Sequence, residues 1–202
     1  MDSPPLIVVL GAGRSSRFGG DKIAATCAGL PLGQWTLEAA LGTGLPVVWL
    51  AGDTAPAFVE GRCEVRHNLH AAEGIGTSVA MTAGLAAERG AAAVLIVLAD
   101  MPLVNTALLE RLTATGAPAA CRHPDGHPGV PALLPASAFP ALHGLTGDQG
   151  AGRILRSLNG LHVLECGPDE LLDVDSAADL AEAERLLLPK FSSSGGGGGP
   201  QG

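Results

Sequence analysis

Tyrosine is absent from the 202 residues, and phenylalanine with tryptophan makes up only 3%, so packing falls to alanine and small aliphatic side chains. Cations are also few. Twelve Lys and Arg stand against twenty Asp and Glu, a net charge of −8, which argues against a nucleic-acid or anionic-membrane surface, since such surfaces usually carry a basic face. Long apolar runs are lacking too. The longest, Ala91 to Ala99, has nine residues and is too short to span a bilayer. Met1 to Pro5 has neither the basic start nor the apolar stretch of a secretion signal. The four cysteines, Cys27, Cys63, Cys121 and Cys166, form no Cys-x-x-Cys pair and have no histidine at zinc-ligand spacing. They read as reduced, packed thiols. The expectation is a soluble cytoplasmic protein with no nucleic-acid and no membrane partner.

What is present is core-forming sequence. Hydrophobic residues reach 47% and charged residues only 16%, which excludes disorder over most of the length. The length suits one domain, expected over 1–190. From Phe191 onward, Ser-Ser-Ser-Gly-Gly-Gly-Gly-Gly-Pro-Gln-Gly offers nothing to bury, so 191–202 is expected to be a flexible tail.

Leu6 to Lys22 organises the chain. Leu6–Leu10 is a short apolar run ended by glycine, the pattern of a strand buried on both faces of a parallel sheet. The loop that follows leaves at the carboxyl end of that strand, where open α/β sheets bind ligands. Gly11, Gly13, Gly19 and Gly20 let backbone amides approach a phosphate, and Arg14, Arg17 and Lys22 add cationic donors. A solvated surface turn is the plainer alternative. Two familiar phosphate loops do not fit. Lys22 follows Asp21 and precedes Ile23, unlike a P-loop lysine, and Arg14-Ser15-Ser16 after Gly13 breaks the dinucleotide fingerprint.

Beyond the loop, strands and helices alternate, as in a doubly wound sheet. A turn at 29–32 leads to a helix over Leu32 to Leu41. Strands are expected at Val47 to Leu50 and Glu64 to His67, with a short helix from Ala55 to Glu60 between them. Gly74, Gly76, Thr77 and Ser78 then open an Ala-rich helix running to Arg89. They suit an anion or base edge at a helix N-terminus, or simple capping by Thr77 or Ser78. Ala93 to Ala99 is the clearest strand and ends in Asp100-Met101-Pro102. An acid on the same edge as the first loop can hold Mg2+ against bound phosphates, or it can simply serve the turn. Asn105 caps a helix to Leu112, and Pro118 to Cys121 reads as a strand. Arg122 to Pro131 is too rich in proline and glycine for regular structure, and it precedes an Ala132-Leu133-Leu134 strand. Phe139 to His143 reads as helix. Gly147-Asp148-Gln149-Gly150 opens another, with Asp148 as its natural N-cap. Short strands are expected at Leu161 to Glu165 and Leu171 to Val174. Ser176 and Asp179 form a capping-box-like pair for the last helix.

The ordered motifs resemble those of the molybdenum cofactor nucleotidyltransferases, the molybdopterin branch of NTP transferase domains. The first is Leu10-Gly11-Ala12-Gly13-Arg14-Ser15-Ser16-Arg17-Phe18-Gly19 with Lys22 behind it, where Gly11 stands in a position usually held by alanine. Gly76-Thr77-Ser78 resembles the family's nucleotide-touching segment, and Leu98-Ala99-Asp100-Met101-Pro102 its metal-binding motif. Gly126-His127-Pro128 and Gly147-Asp148-Gln149-Gly150-Ala151 are similar to acceptor-site segments of the cytidylyltransferases, where the family has Gly-Asp-x-Gly-Ala/Val-Arg for the second. Asp173-Val174-Asp175-Ser176 resembles a turn whose second acidic residue adds a metal contact.

The resemblance implies a three-layer α/β/α, Rossmann-like, mostly parallel sheet of the nucleotidyltransferase type. It implies a cytidylyltransferase that joins CMP from CTP to molybdopterin cofactor with Mg2+-dependent pyrophosphate release. Arg14, Lys22 and Asp100 would be catalytic, and Leu10, Gly11, Ala12, Gly13, Arg17, Gly76 and Ser78 would hold the nucleotide. His127 and Asp148 would hold the acceptor, with the metal on Asp100 and Asp175. A molybdenum hydroxylase or its maturation factor is the implied partner. GTP as donor, another phosphorylated acceptor and a non-catalytic cofactor-binding chaperone are the alternatives; a dehydrogenase is disfavoured by the failed fingerprint.

Overall fold

The computed structural model describes residues 3–12, 21–116 and 118–188. Gly13, Arg14 and Arg17 and the 191–202 tail lie outside them. Seven strands form the main sheet: β1 (Leu6–Leu10), β4 (Val47–Ala51), β5 (Glu64–His67), β6 (Ala93–Leu98), β7 (Ala119–Arg122), β8 (Pro128–Pro135) and β9 (His162–Leu164). Between β1 and β4 lies a small hairpin, β2 (Thr26–Cys27) and β3 (Leu30–Pro31). Its two-residue turn uses positive φ at Ala28 (49°) and Gly29 (87°), the conformation that matches hairpin twist.

The strand order is β5-β4-β1-β6-β8-β7-β9. β5, β4, β1 and β6 run parallel to one another, with Val8 of β1 between Val48 and Ile96. β8 alone runs antiparallel to both of its neighbours, and β9 pairs parallel with β7. The mostly parallel, doubly wound sheet is therefore as expected. From β1 the chain passes to β4 on one side, and β6 takes the other, so the edge between β1 and β6 is a topological switch point where a crevice must open.

Strand alternation divides the core between the two faces. Ile7 and Val9 pack with Leu37 of α1 (Leu32–Gly42) and with Leu108, Leu109 and Leu112 of α3 (Thr106–Ala114). Leu6, Val8 and Leu10 face the other way, onto Val79, Ala83 and Ala86 of α2 (Ile75–Glu88), Phe139 and Leu142 of α4 (Phe139–His143), and Leu155 of α5 (Gly152–Ser157). Helices on both faces make the three layers. A third cluster seats α6 (Ala177–Leu187) on the hairpin through Cys27, Val174 and Ala183. No helix among the described residues is long and apolar enough to cross a membrane.

Several local expectations are corrected. α2 starts at Ile75 with Gly74 at its N-cap, so neither Thr77 nor Ser78 caps it; the Thr77 hydroxyl bonds back to the Gly74 carbonyl at 2.9 Å. α5 is preceded by Ala151, not Asp148, and has no side-chain cap. The Pro/Gly-rich stretch becomes β8 already at Pro128, because only 123–127 is needed to turn the chain. Leu171 to Val174 is not a strand: the Val174 amide donates to the Asp100 carbonyl at 3.0 Å, a single tether rather than a ladder. The capping box at Ser176 and Asp179 is present.

Candidate active site

β6 delivers Asp100 just beyond its last residue. The Val174 tether draws the 171–176 segment against it. The start of α6 then fixes that segment, since Asp179 Oδ2 accepts from the amides of both Asp175 (3.2 Å) and Ser176 (2.8 Å). Carboxylate oxygens of Asp100, Asp173 and Asp175 consequently lie within 4.8 Å of one another. Lys22 meets them from the first loop. Its buried ammonium donates to Asp100 Oδ2 at 2.7 Å and to Asp175 Oδ1 at 3.1 Å. Burial pulls its pKa down, but Asp100 and Asp175 outweigh that and hold it above the ordinary lysine value.

Asp173 behaves in the opposite way. Burial, then repulsion from Asp100 and Asp175, pushes its carboxyl up to about 7 against the pull of Lys22. Asp100 Oδ1 is buried and accepts from no donor among the described residues. A buried carboxylate oxygen left unpaired is costly, and three converging oxygen ligands are what a hard divalent cation requires. The donor set fits such an ion. Asp173 is the member that sequence reasoning did not single out; its place two residues before Asp175 was the available signal.

Three adjoining hollows run along the strand ends from this cluster. The first, about 600 Å³, lies over β4 and β5 and is lined by Gly11, Ala12, Asp53 and Asn68. The second, about 450 Å³, shares Ala12 with it and is lined by Ser78, Asp100, Asp148 and Asp173. The third, about 280 Å³, shares Leu10, Ile75 and Leu98 with the second and continues to His123, His127 and Arg156. Together they form one crevice with the acids near its middle. His127 reaches this edge because β8 runs antiparallel, so that its beginning, not its end, stands beside the end of β6.

Several expected residues serve the crevice by shape. The Gly11 amide donates to the Leu50 carbonyl at 2.9 Å. A Cβ there would overlap the Trp49 indole, 2.5 Å from its Cε2 and 2.6 Å from its Nε1. Trp49 is fully buried, with Phe58 set edge-on at 5.4 Å. This packing accounts for a glycine at position 11. Gly76 lines none of the three hollows, and its amide donates to the Gly147 carbonyl at 2.8 Å. Gly74, at φ 122°, lies so close to the 147–148 backbone that a Cβ would stand 2.9 Å from the Asp148 amide nitrogen. The 74–76 and 146–148 loops are thereby locked together, which places exposed Asp148 in the middle hollow opposite Ser78.

Ser78 is buried and accepts from Asn68 Nδ2 at 2.9 Å. Asn68 also donates to Thr77 Oγ1 (3.0 Å) and accepts from the His70 amide (3.0 Å), tying the end of β5 to α2. Sequence reading passed over Asn68. Its signal was an amide side chain placed just after a strand and before a glycine loop. The arginine of the family's Gly-Asp-x-Gly-Ala/Val-Arg pattern comes one residue late here, at exposed Arg153, with Gly152 in its place.

Comparison with known proteins agrees with this geometry. The family described as "MobA-like NTP transferase domain" matches residues 7–163. "Purine catabolism protein PucB" of Bacillus subtilis is 32% identical over 93% of this chain and 100% of its own length. Rv0371c of Mycobacterium tuberculosis, solved in complex with manganese, superposes at a TM-score of 0.73 with 24% identity, covering 91% of this chain and 99% of that one. Molybdopterin-guanine dinucleotide biosynthesis protein A of Archaeoglobus fulgidus does so at 0.67 with 21% identity, covering 91% and 99%. The two structural likenesses establish the fold; the sequence matches establish the family. The chain belongs to the MobA-like NTP transferase family and is, by that membership, a nucleotidyltransferase.

Proposed function

We propose that the protein joins the CMP moiety of CTP to the phosphate of a molybdopterin-type acceptor and releases pyrophosphate, with Mg2+ as the divalent cation. The observation that carries this reading is the crevice, which has separate hollows on either side of an acid cluster. Gly11 and Ala12 shape the nucleoside side, Leu10 and Ser78 bound the nucleotide from the middle hollow, and Gly76 holds that wall in place. Gly13, Arg14 and Arg17, with Lys22, receive the triphosphate. His127 and Asp148 receive the acceptor.

Asp100 and Asp175, with Asp173 beside them, hold the cation, which when bound supplies charge neutralisation at the phosphates. Lys22 is kept charged by the acids, so it offsets their repulsion of an incoming polyphosphate and offers its own charge to it. The acceptor phosphate is already anionic at neutral pH. A bond from its oxygen to the α-phosphorus forms as the bond to pyrophosphate breaks, and alignment matters more than a strong general base.

CTP is preferred over GTP because the two segments similar to the cytidylyl branch, at 126–128 and 147–150, both border the crevice. A relative named for purine catabolism supports a molybdenum hydroxylase, or its maturation factor, as receiver of the product. A cytoplasmic site of action and one catalytic domain over 1–190 belong to the same reading. The deciding measurement is pyrophosphate release with Mg2+ and molybdenum-loaded molybdopterin, comparing CTP with GTP. CTP-dependent release is expected. A GTP preference would overturn the donor assignment, and binding without release would make the protein a cofactor-binding module.

A further inference from the structure

The third hollow has a chemistry of its own. Three of the chain's twelve Lys and Arg residues, Arg14, Arg17 and Lys190, lie outside the described residues. Of the other nine, seven are held by a carboxylate or a carbonyl oxygen. Among the described residues only Arg153 and Arg156, both on α5, bond to neither, and Arg156 is the one that lines the hollow. Its Nη1 lies 3.4 Å from where a Cβ would stand on Gly152, so the guanidinium folds back along the helix over a residue that leaves it room. The Pro128 carbonyl oxygen lies 3.8 Å from the same point, so Arg156 stands where α5 meets the start of β8.

Two imidazoles share this rim. His123 packs on Gly129, and its Nε2–H donates to the Val130 carbonyl at 2.7 Å, which fixes the ring. The His127 ring bonds to no described residue. Asp125 is the acid of the hollow, and its Oδ1 is turned inward to accept the His127 amide at 2.9 Å. Beneath lie Leu10, Ile75, Val79 and Leu98. An apolar floor with an unpaired guanidinium and two imidazoles on its rim suits a flat ring system that carries an anionic group.

We propose that Arg156, with His123 and His127 beside it, positions the acceptor by binding a second anionic group on it, remote from the phosphate that reacts at the acid cluster. This rests on the acceptor reading given above, in which the second group is the oxometal–dithiolene end of a molybdopterin-type molecule. Arg156 thereby selects the metal-loaded acceptor over the metal-free one.

Two measurements test this separately from the acceptor's identity. In the first, the imidazole resonances of the full chain are followed by NMR during titration with molybdate alone. Saturable shifts of His123 and His127 are expected, with at least tenfold weaker binding in Arg156→Ala and partial recovery in Arg156→Lys. Absence of these shifts, or equal shifts in Arg156→Ala, overturns the assignment. In the second, pyrophosphate release by Arg156→Ala is measured with metal-loaded and metal-free molybdopterin. A roughly tenfold rise in KM for the loaded form alone is expected, with the KM for CTP and the rate at saturating acceptor retained. An equal rise for both forms, or a rise confined to CTP, overturns it. Failure of the wild-type protein to turn over either acceptor would defeat the acceptor reading, and the molybdate titration would still decide the role of Arg156.

Discussion

At the end of the crevice over β4 and β5, two of the polar groups that shape the wall are engaged within the protein. The Gly11 amide is bonded to Leu50, and the Asn68 side chain holds Thr77, Ser78 and the His70 amide. At the end over β8, Arg156 and the His127 ring bond to no described residue. The first end is a wall whose shape is set by backbone and packing; the second presents exposed polar groups that no described residue holds. A shape-based wall tolerates substitution poorly because close contacts propagate strain, whereas an exposed cation can be changed with little effect on folding.

The acid cluster lies between these ends, so its loss should affect catalysis without distinguishing them. Asp100→Asn keeps the side-chain volume and the backbone tether to Val174 but removes the charge facing Lys22. Pyrophosphate release should fall about 10³-fold, roughly 4 kcal/mol of transition-state stabilisation, with the circular dichroism spectrum unchanged. Normal turnover in this variant would remove Asp100 from the metal assignment.

The seam between the two ends is the next most sensitive place. Gly74→Ala puts a Cβ at φ 122° against the 147–148 backbone, which no side-chain rotation can relieve. A loss of about 3 kcal/mol in urea-melt stability is expected. Gly11→Ala tests the wall alone. Its Cβ would enter the space of the Trp49 indole, and a loss of about 2 kcal/mol should be recovered in part by adding Trp49→Leu. If the single variant is as stable as wild type, packing by Trp49 is not the reason for the glycine.

The elements that position the site were largely legible in the sequence. Leu6–Leu10 and Ala93–Leu98 could be read because strands buried on both faces are uniformly apolar, and both end in residues unlike those before them. Asp100 was legible for that reason. Asp173 was not, because its significance comes from the Val174 tether, a contact that local pattern does not encode. The glycine at position 11 was visible, but its cause, an indole on the neighbouring strand, was not. Sequence pattern shortens β8 because proline and glycine signal turns, whereas the strand runs on through them from Pro128. At the start of α2 the glycine at 74 is where the helix opens, and the alternative of a hydroxyl cap at Thr77 or Ser78 fails because Ser78 is buried against Asn68.

The smallest expected effect lies at Asp173. In the folded protein its pKa is raised from 3.8 to about 7, first by burial and then by its acidic neighbours. Between these values the folded state keeps a proton that the unfolded chain releases. Stability therefore falls as pH rises through this window and is lowest above it. Asp173→Asn carries no such charge. Because Asp173 is an exposed residue, solvent screening reduces the effect to about 1 kcal/mol. In metal-free buffer the variant should match wild type near pH 4, move ahead as pH rises through 5 and 6, and hold a constant lead above pH 8, read from urea melts. A lead that shrinks with rising pH would mean that Lys22, rather than Asp100 and Asp175, governs the charge of Asp173. In the metal-free protein Lys22 would then balance Asp173 as well as Asp100 and Asp175.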